Sequence, residues 1–239
     1  TSTGGDKVGI GTSSPEFKLS LSDDGGILAI GTPGSGTTLS TSGSGTRMIW
    51  YPRKSAFRAG YVDGAQWDDD SLGNVSAAFG NSCVAKGPVS AAFGRENVAS
   101  GNYSFVMNYQ NVSSGQSAVA MGHETTADGS NSVSMGYNTT ANGDNSLALG
   151  RSTTTSGYAT VAMGFATTAT AKFSTVLGQY NVGGGDPNTW INTDPIFEIG
   201  IGADAANKAN ALTVLKNGHV GVGDATPDFP LEVDGKIAV

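Results

Sequence analysis

From Gly73 to Gly178 the chain repeats itself every fourteen residues without an insertion or a deletion. So strict a register belongs to a solenoid, in which one supersecondary unit stacks on copies of itself and no unit buries its apolar face alone. The half-repeats are GNVSAAFG (73–80), GPVSAAFG (87–94), GNYSFVMN (101–108), GQSAVAMG (115–122), GSNSVSMG (129–136), GDNSLALG (143–150), GYATVAMG (157–164) and AKFSTVLG (171–178). They spell G-x-x-S-x-A-φ-G, with φ being Phe, Met or Leu, and are joined by six-residue links such as RENVAS and HETTAD.

Successive residues of a strand face opposite ways, so each half-repeat has a small face and a large one. Ser76, Ala78 and Gly80, followed by Ser90, Ala92, Gly94 and their successors, are expected inside a narrow roll. The large face carries Phe79, Phe93, Met107, Met121, Met135, Leu149, Met163 and Leu177 in one file, with Ala77, Ala91, Phe105, Val119, Val133, Leu147, Val161 and Thr175 beside it. Stacked at strand spacing, the coils make a rod about 35–40 Å long with this ribbon on its outside. An exposed apolar surface of that extent marks an interface, and a continuous file along one edge suits closed rotational symmetry. The first file is therefore predicted to be a subunit interface. In the alternative, the ribbon is the core of a wider monomeric solenoid, but two short strands and two turns enclose little volume for a Met or Phe from every rung.

The motif, together with its [NT]-[VT]-A-x link, resembles the head repeat of trimeric autotransporter adhesins over residues 73–178. The resemblance implies an all-β fold, a left-handed parallel β-roll of fourteen-residue coils, with three rolls around a common axis. Asn108 and Ala171 depart from the consensus Gly positions, and Ala118 and Thr160 from the Ser. A second self-similarity brackets the first. KVGIGTSSPEFKL (7–19) and HVGVGDATPDFPL (219–231) share V-G-φ-G-x-x-x-P-x-F-x-L, with Gly and Pro at fixed offsets setting turns between short strands. This connector is similar to those of bacteriophage tail fibres and related bacterial surface fibres, and its presence at both ends is expected of a piece of a longer fibre. The predicted organisation is a connector (1–21), an N-terminal cap block (22–72), the head roll (73–182), C-terminal cap strands (183–216) and a second connector (217–239).

Residues 22–72 run from a Gly/Ser/Thr-rich stretch into RMIWYPRKSAFRAGYVDGAQWDDD (47–70). Trp and Tyr faces stack on sugar rings and cations pair with acidic groups, so Trp50, Tyr51, Arg53, Lys54, Arg58 and Trp67 form a candidate glycan site. The competing reading puts these aromatics in the core of a trimeric cap. Asp63 and Asp68–Asp70 suggest a Ca²⁺ turn, weighed against an exposed acidic turn with no ion. After the roll, GGGDPNTW leads to apolar strands over 196–201 and 211–215, read as the cap of the other end because solenoid ends expose strand edges.

With 36 Gly and only 14 % charged residues, the composition is that of a turn-rich β protein. No apolar run reaches a membrane span, and a net charge of −7 disfavours nucleic acid. Lone Cys83 permits no internal disulfide, and His123 and His219 stand in no metal-ligand spacing. No nucleophile elbow, zinc motif or phosphate loop occurs, so neither an enzyme nor a cofactor is expected. The expected function is that of an extracellular, homotrimeric fibre segment that recognises a glycan or protein of another cell. A phage receptor-binding fibre is the alternative. An ice-binding solenoid is a third reading, resting on the Thr pairs 125–126, 139–140, 153–154 and 167–168, which stack in register on the second strand.

Overall fold

The computed structural model describes residues 7–14, 16–22 and 26–235. Pro15 and the outer ends of the two connectors, 1–6 and 236–239, lie outside the described residues. The chain divides into two compact units, Thr1–Thr32 and Pro33–Val239.

Each of the eight half-repeats supplies one five-residue strand, from Ala77–Asn81 to Thr175–Gln179, and the links supply two-residue strands from Val84–Ala85 to Thr168–Ala169. The long strands pair in parallel at the fourteen-residue offset, with Met121 opposite Met135 and Met135 opposite Leu149. The short strands form a separate seven-stranded sheet. Two corners close each coil. Both use left-handed backbone at non-glycine residues, for example Val89 (φ 56°) and Glu96 (φ 56°) in one coil and Asn145 (φ 57°) and Ser152 (φ 54°) in another.

Alternation decides the interior. Ser90, Ala92, Asn97 and Ala99 of one coil are buried, as are Ser132, Ser134, Thr139 and Ala141 of another. The roll is therefore filled mainly by Ala, Ser, Thr and Asn, as the small face predicts, with Val at 106 and 176 and Cys at 83 as its larger inward residues. The departures from consensus fit this scheme. Ala118 and Thr160 occupy the inward Ser position fully buried, and Asn108 keeps the positive φ (93°) of the glycines it replaces. Ala171 fits because Gly185 takes the next rung, where a Cβ would come within 2.6 Å of the Ala171 Cβ.

The caps extend the long sheet more than they cover it. A hairpin of Gly45–Tyr51 and Ala56–Val62 adds to the first coil, and Pro195–Ile201, Asn210–Leu215, Val220–Val222 and Leu231–Val233 add beyond the last, giving fourteen strands in all. The short sheet stops earlier and is closed by side chains. Asn181, which falls at the next rung of that sheet, offers its amide in place of a backbone unit: Oδ1 accepts from Thr168 N (2.8 Å) and Nδ2 donates to Thr168 O (2.9 Å).

Both connectors are parallel strand pairs with the same offset, Val8 opposite Leu19 and Val220 opposite Leu231. Their flanking bonds match too. Val8 N donates to Lys18 O and Val220 N to Pro230 O, while Ser22 N donates to Ile10 O and Asp234 N to Val222 O. The repeated motif is thus a repeated structure.

Candidate functional site

The expected glycan block is largely a cap core. Trp67 is fully buried, and its Nε1 donates to Cys83 O (2.9 Å) at the open end of the short sheet. Arg58 is fully buried in register with Ala78. Its guanidinium donates to Phe57 O, Ser76 O, Ser76 Oγ and Ala85 O at 2.8–2.9 Å. Burial lowers its pKa to about 10, so it remains a cation at neutral pH. Tyr51 is 6 % exposed; its hydroxyl donates to Asp69 Oδ1 (2.8 Å) and accepts from Leu39 N (3.2 Å). Tyr51, Arg58 and Trp67 are thus corrected from ligand contacts to cap core. The physical reason is that no further coil stacks on the first one, so its end carbonyls lack the bonds a next rung would supply: Cys83 O takes Trp67 Nε1, and Ser76 O and Ala85 O, each accepting one backbone N–H, take the guanidinium as a second donor.

Arg53 and Lys54 lie nearer the surface but already have partners: Arg53 Nη1 donates to Gly36 O (2.7 Å), while Lys54 bonds Asp69 O and pairs with its carboxylate at 3.3 Å. The Tyr51 hydroxyl, and after it Lys54, hold the Asp69 carboxyl below the usual carboxylate range. Asp68 Oδ1 accepts from Gly43 N (3.0 Å). The acidic turn is therefore tied into the cap, and no group of three or more His, Cys, Asp or Glu placed to hold a metal ion occurs among the described residues.

Trp50 alone of the six is widely exposed, at 44 %, and pairing explains its position. It stands opposite Phe57, which stands opposite Ala77, so it belongs to the outer file of the long sheet; Met48 reaches the Phe79 file through Ala59 in the same way. At the far end Phe197 and Val214 continue the Ala77–Thr175 file, and Ile199, Leu212 and Val222 the Phe79–Leu177 file. All eight residues from Phe79 to Leu177 remain partly or widely exposed in the single chain. The candidate site is this ribbon: two apolar files crossing all fourteen strands, over about 60 Å at strand spacing. Only the eight repeat rungs are legible in the sequence, because the added strands lie outside the fourteen-residue period.

Beside the ribbon runs a third file, Arg95, Tyr109, His123, Tyr137, Arg151 and Phe165, in register from rung to rung. Tyr109 lies tilted against His123 at 4.9 Å and Tyr137 meets it edge-to-face at 5.0 Å, while Arg151 lies over both Tyr137 and Phe165. Ring–ring and cation–π contacts of this kind stiffen the edge of the sheet.

The Thr pairs are split. Thr125, Thr139, Thr153 and Thr167 are fully buried inside the roll, and only Thr126, Thr140, Thr154 and Thr168 look outward. The expected flat double ladder is therefore a single file, because adjacent strand residues face opposite ways.

The family model of the YadA head domain repeat (2 copies) matches residues 113–139, 127–153 and 156–181. No curated protein and no solved structure gives a match. The first coils share the period, register and inward file of the matched ones. The stack of coils is accordingly a YadA-like head β-roll.

Proposed function

We propose that this chain is a segment of a homotrimeric extracellular fibre of the trimeric autotransporter adhesin type, holding an adhesive surface toward another cell. The observation that carries the reading is the apolar ribbon. Its large side chains are presented outward on every rung while the interior is filled by small ones, so burial of the ribbon is left to further copies of the chain. Phe79, Phe93, Met107, Met121, Met135, Leu149, Met163 and Leu177 form the centre of that interface, and Met48 and Trp50 extend it. A cyclic trimer closes the ribbon on itself without leaving a free edge for open-ended growth. No helix among the described residues is long and apolar enough to cross a membrane.

The repeated connector, similar to those of both bacteriophage tail fibres and bacterial surface fibres, also suits a second carrier, a bacteriophage tail fibre, on the same physics. Sedimentation equilibrium tests the assembly: three times the 24.1 kDa chain mass at micromolar concentration is expected, and a monomer overturns the reading.

A further inference from the structure

We propose that the C-terminal end of the roll carries a binding site for an acidic pyranose saccharide, centred on Trp190, Phe173, Tyr158 and Lys172. The proposal deepens the adhesive reading and rests on it for its biological sense, but the site lies within one chain.

The segment after the glycine run is fastened to the roll as an extra half-rung. Tyr158 N donates to Pro187 O and Lys172 N to Asp186 O, each at 2.9 Å. Asp186 Oδ1 accepts from Asn188 N (2.9 Å) and Thr189 N (2.6 Å), fixing the turn that leads into Trp190. Asp194 Oδ2 in turn accepts from Asp186 N at 2.9 Å. These bonds set three rings in a row along the turn edge, Tyr158 to Phe173 at 5.7 Å and Phe173 to Trp190 at 6.3 Å. The rings are 41 %, 41 % and 47 % exposed.

Trp190 is a prepared platform. Its Nε1 donates to Asn192 Oδ1 (2.8 Å), and the ammonium of Lys216 lies 5.2 Å from the ring centre. The Lys216 side chain is fully buried and paired with Asp194 at 3.5 Å, so it backs the indole from the protein side while Trp190 as a whole stays 47 % exposed. A rigid, half-exposed aromatic face is the usual seat for the apolar face of a sugar ring. Lys172 supplies the selectivity. Its ammonium lies 5.4 Å from the Tyr158 ring and 5.2 Å from Phe173, and no ion-pair partner for it occurs among the described residues. A cation held over aromatic rings without a counter-charge is placed to bond a carboxylate on the sugar.

The cluster does not continue the subunit-facing ribbon. The ribbon is apolar from Phe79 to Leu177, whereas this turn edge becomes polar at Ser117, Asn131 and Asn145.

The test is titration of the full chain with 3′-sialyllactose and with lactose, which differ by the acidic sugar, read by saturation-transfer NMR. Sialyllactose is expected to bind at least tenfold more tightly than lactose. Trp190→Ala should weaken it at least tenfold, and Lys172→Met, which keeps the stem and removes the charge, should abolish the preference. Equal binding of the two sugars, binding of neither, or unchanged binding by Trp190→Ala overturns the site. Sedimentation of the same samples separates the two proposals: a trimer that binds neither sugar overturns the site alone, while a monomer with the expected binding overturns the trimeric reading alone.

Discussion

The two faces of the long sheet are made by the same strands, yet they invert the usual arrangement of a soluble protein. The inward face buries Ser132 and Ser134 completely, while Met135, one residue on, is left partly exposed. A globular domain places its largest apolar side chains inside, where each contributes about 1.5–3 kcal/mol on burial. Here the interior holds side chains too small to contribute much, and the larger gain is reserved for whatever covers the outside. The roll is thus shaped by backbone ladders and side-chain size, and its apolar burial is deferred to assembly.

The largest expected effect comes from charging the outer face. Met135→Asp places an unpaired carboxylate on the ribbon in every copy, and burying such a group costs several kcal/mol. The trimer should dissociate in sedimentation and the melting temperature should fall. A trimer with unchanged melting would mean that the ribbon faces water, and the contrast between the faces would lose its meaning.

A smaller effect is expected inside. Ser132→Val adds volume to a closed interior and should cost about 1–3 kcal/mol in denaturant unfolding, without a change in mass at low denaturant. Ser132→Ala provides the control. The Ser132 hydroxyl is buried without a partner among the described residues, and Ala118 already fills the same position in the preceding coil. Removing that hydroxyl should leave stability unchanged or raise it by about 1 kcal/mol. If Val were tolerated as well as Ala, the interior would be wider than its side chains indicate.

The smallest effect lies at the corners between the faces. Val89 is β-branched yet sits at φ 56°, 46 % exposed, a conformation that Asn adopts far more readily. Asn131 and Asn145 occupy the same corner of later coils at φ 55° and 57°. Val89→Asn should therefore stabilise by about 0.5–1 kcal/mol, seen as a higher thermal midpoint. A loss of stability would show that the Val89 side chain is packed at an interface and is not free at the corner.

The ends of the roll add a further lesson about register. Arg58 stands one rung before Ala78 and Glu198 opposite Val176, so the same inward file is closed by a cation at one end and a carboxylate at the other. Arg58 only donates, and the carbonyls of Ser76 and Ala85 receive it. Glu198 only accepts here, from Asn181 Nδ2 (2.7 Å), Gly183 N (3.1 Å) and Asn210 Nδ2 (2.6 Å). A surface cation in an aromatic-rich stretch would be a ligand contact, whereas Arg58, as the next rung, closes the stack. Which reading holds depends on the hairpin register, and a single Arg in an aromatic-rich stretch does not reveal that register.

The sequence by itself determined the period, the eight coils, the small inward face and the outward Phe/Met/Leu file, because alternation along a strand and exact repetition are local properties that stacking only copies. It also determined the connector, since twelve-residue similarity across the chain carried the same strand pairing with it. Only the tertiary structure decided that Met48, Trp50, Phe197 and Ile199 join the ribbon, that Tyr51, Arg58 and Trp67 lie inside the cap, and that Trp190 joins Tyr158 and Phe173 on one edge. Those positions are set by pairing across hairpins and by a loop folding back onto earlier coils. Contacts of that kind join residues whose separation in sequence follows no period, so no local rule could place them.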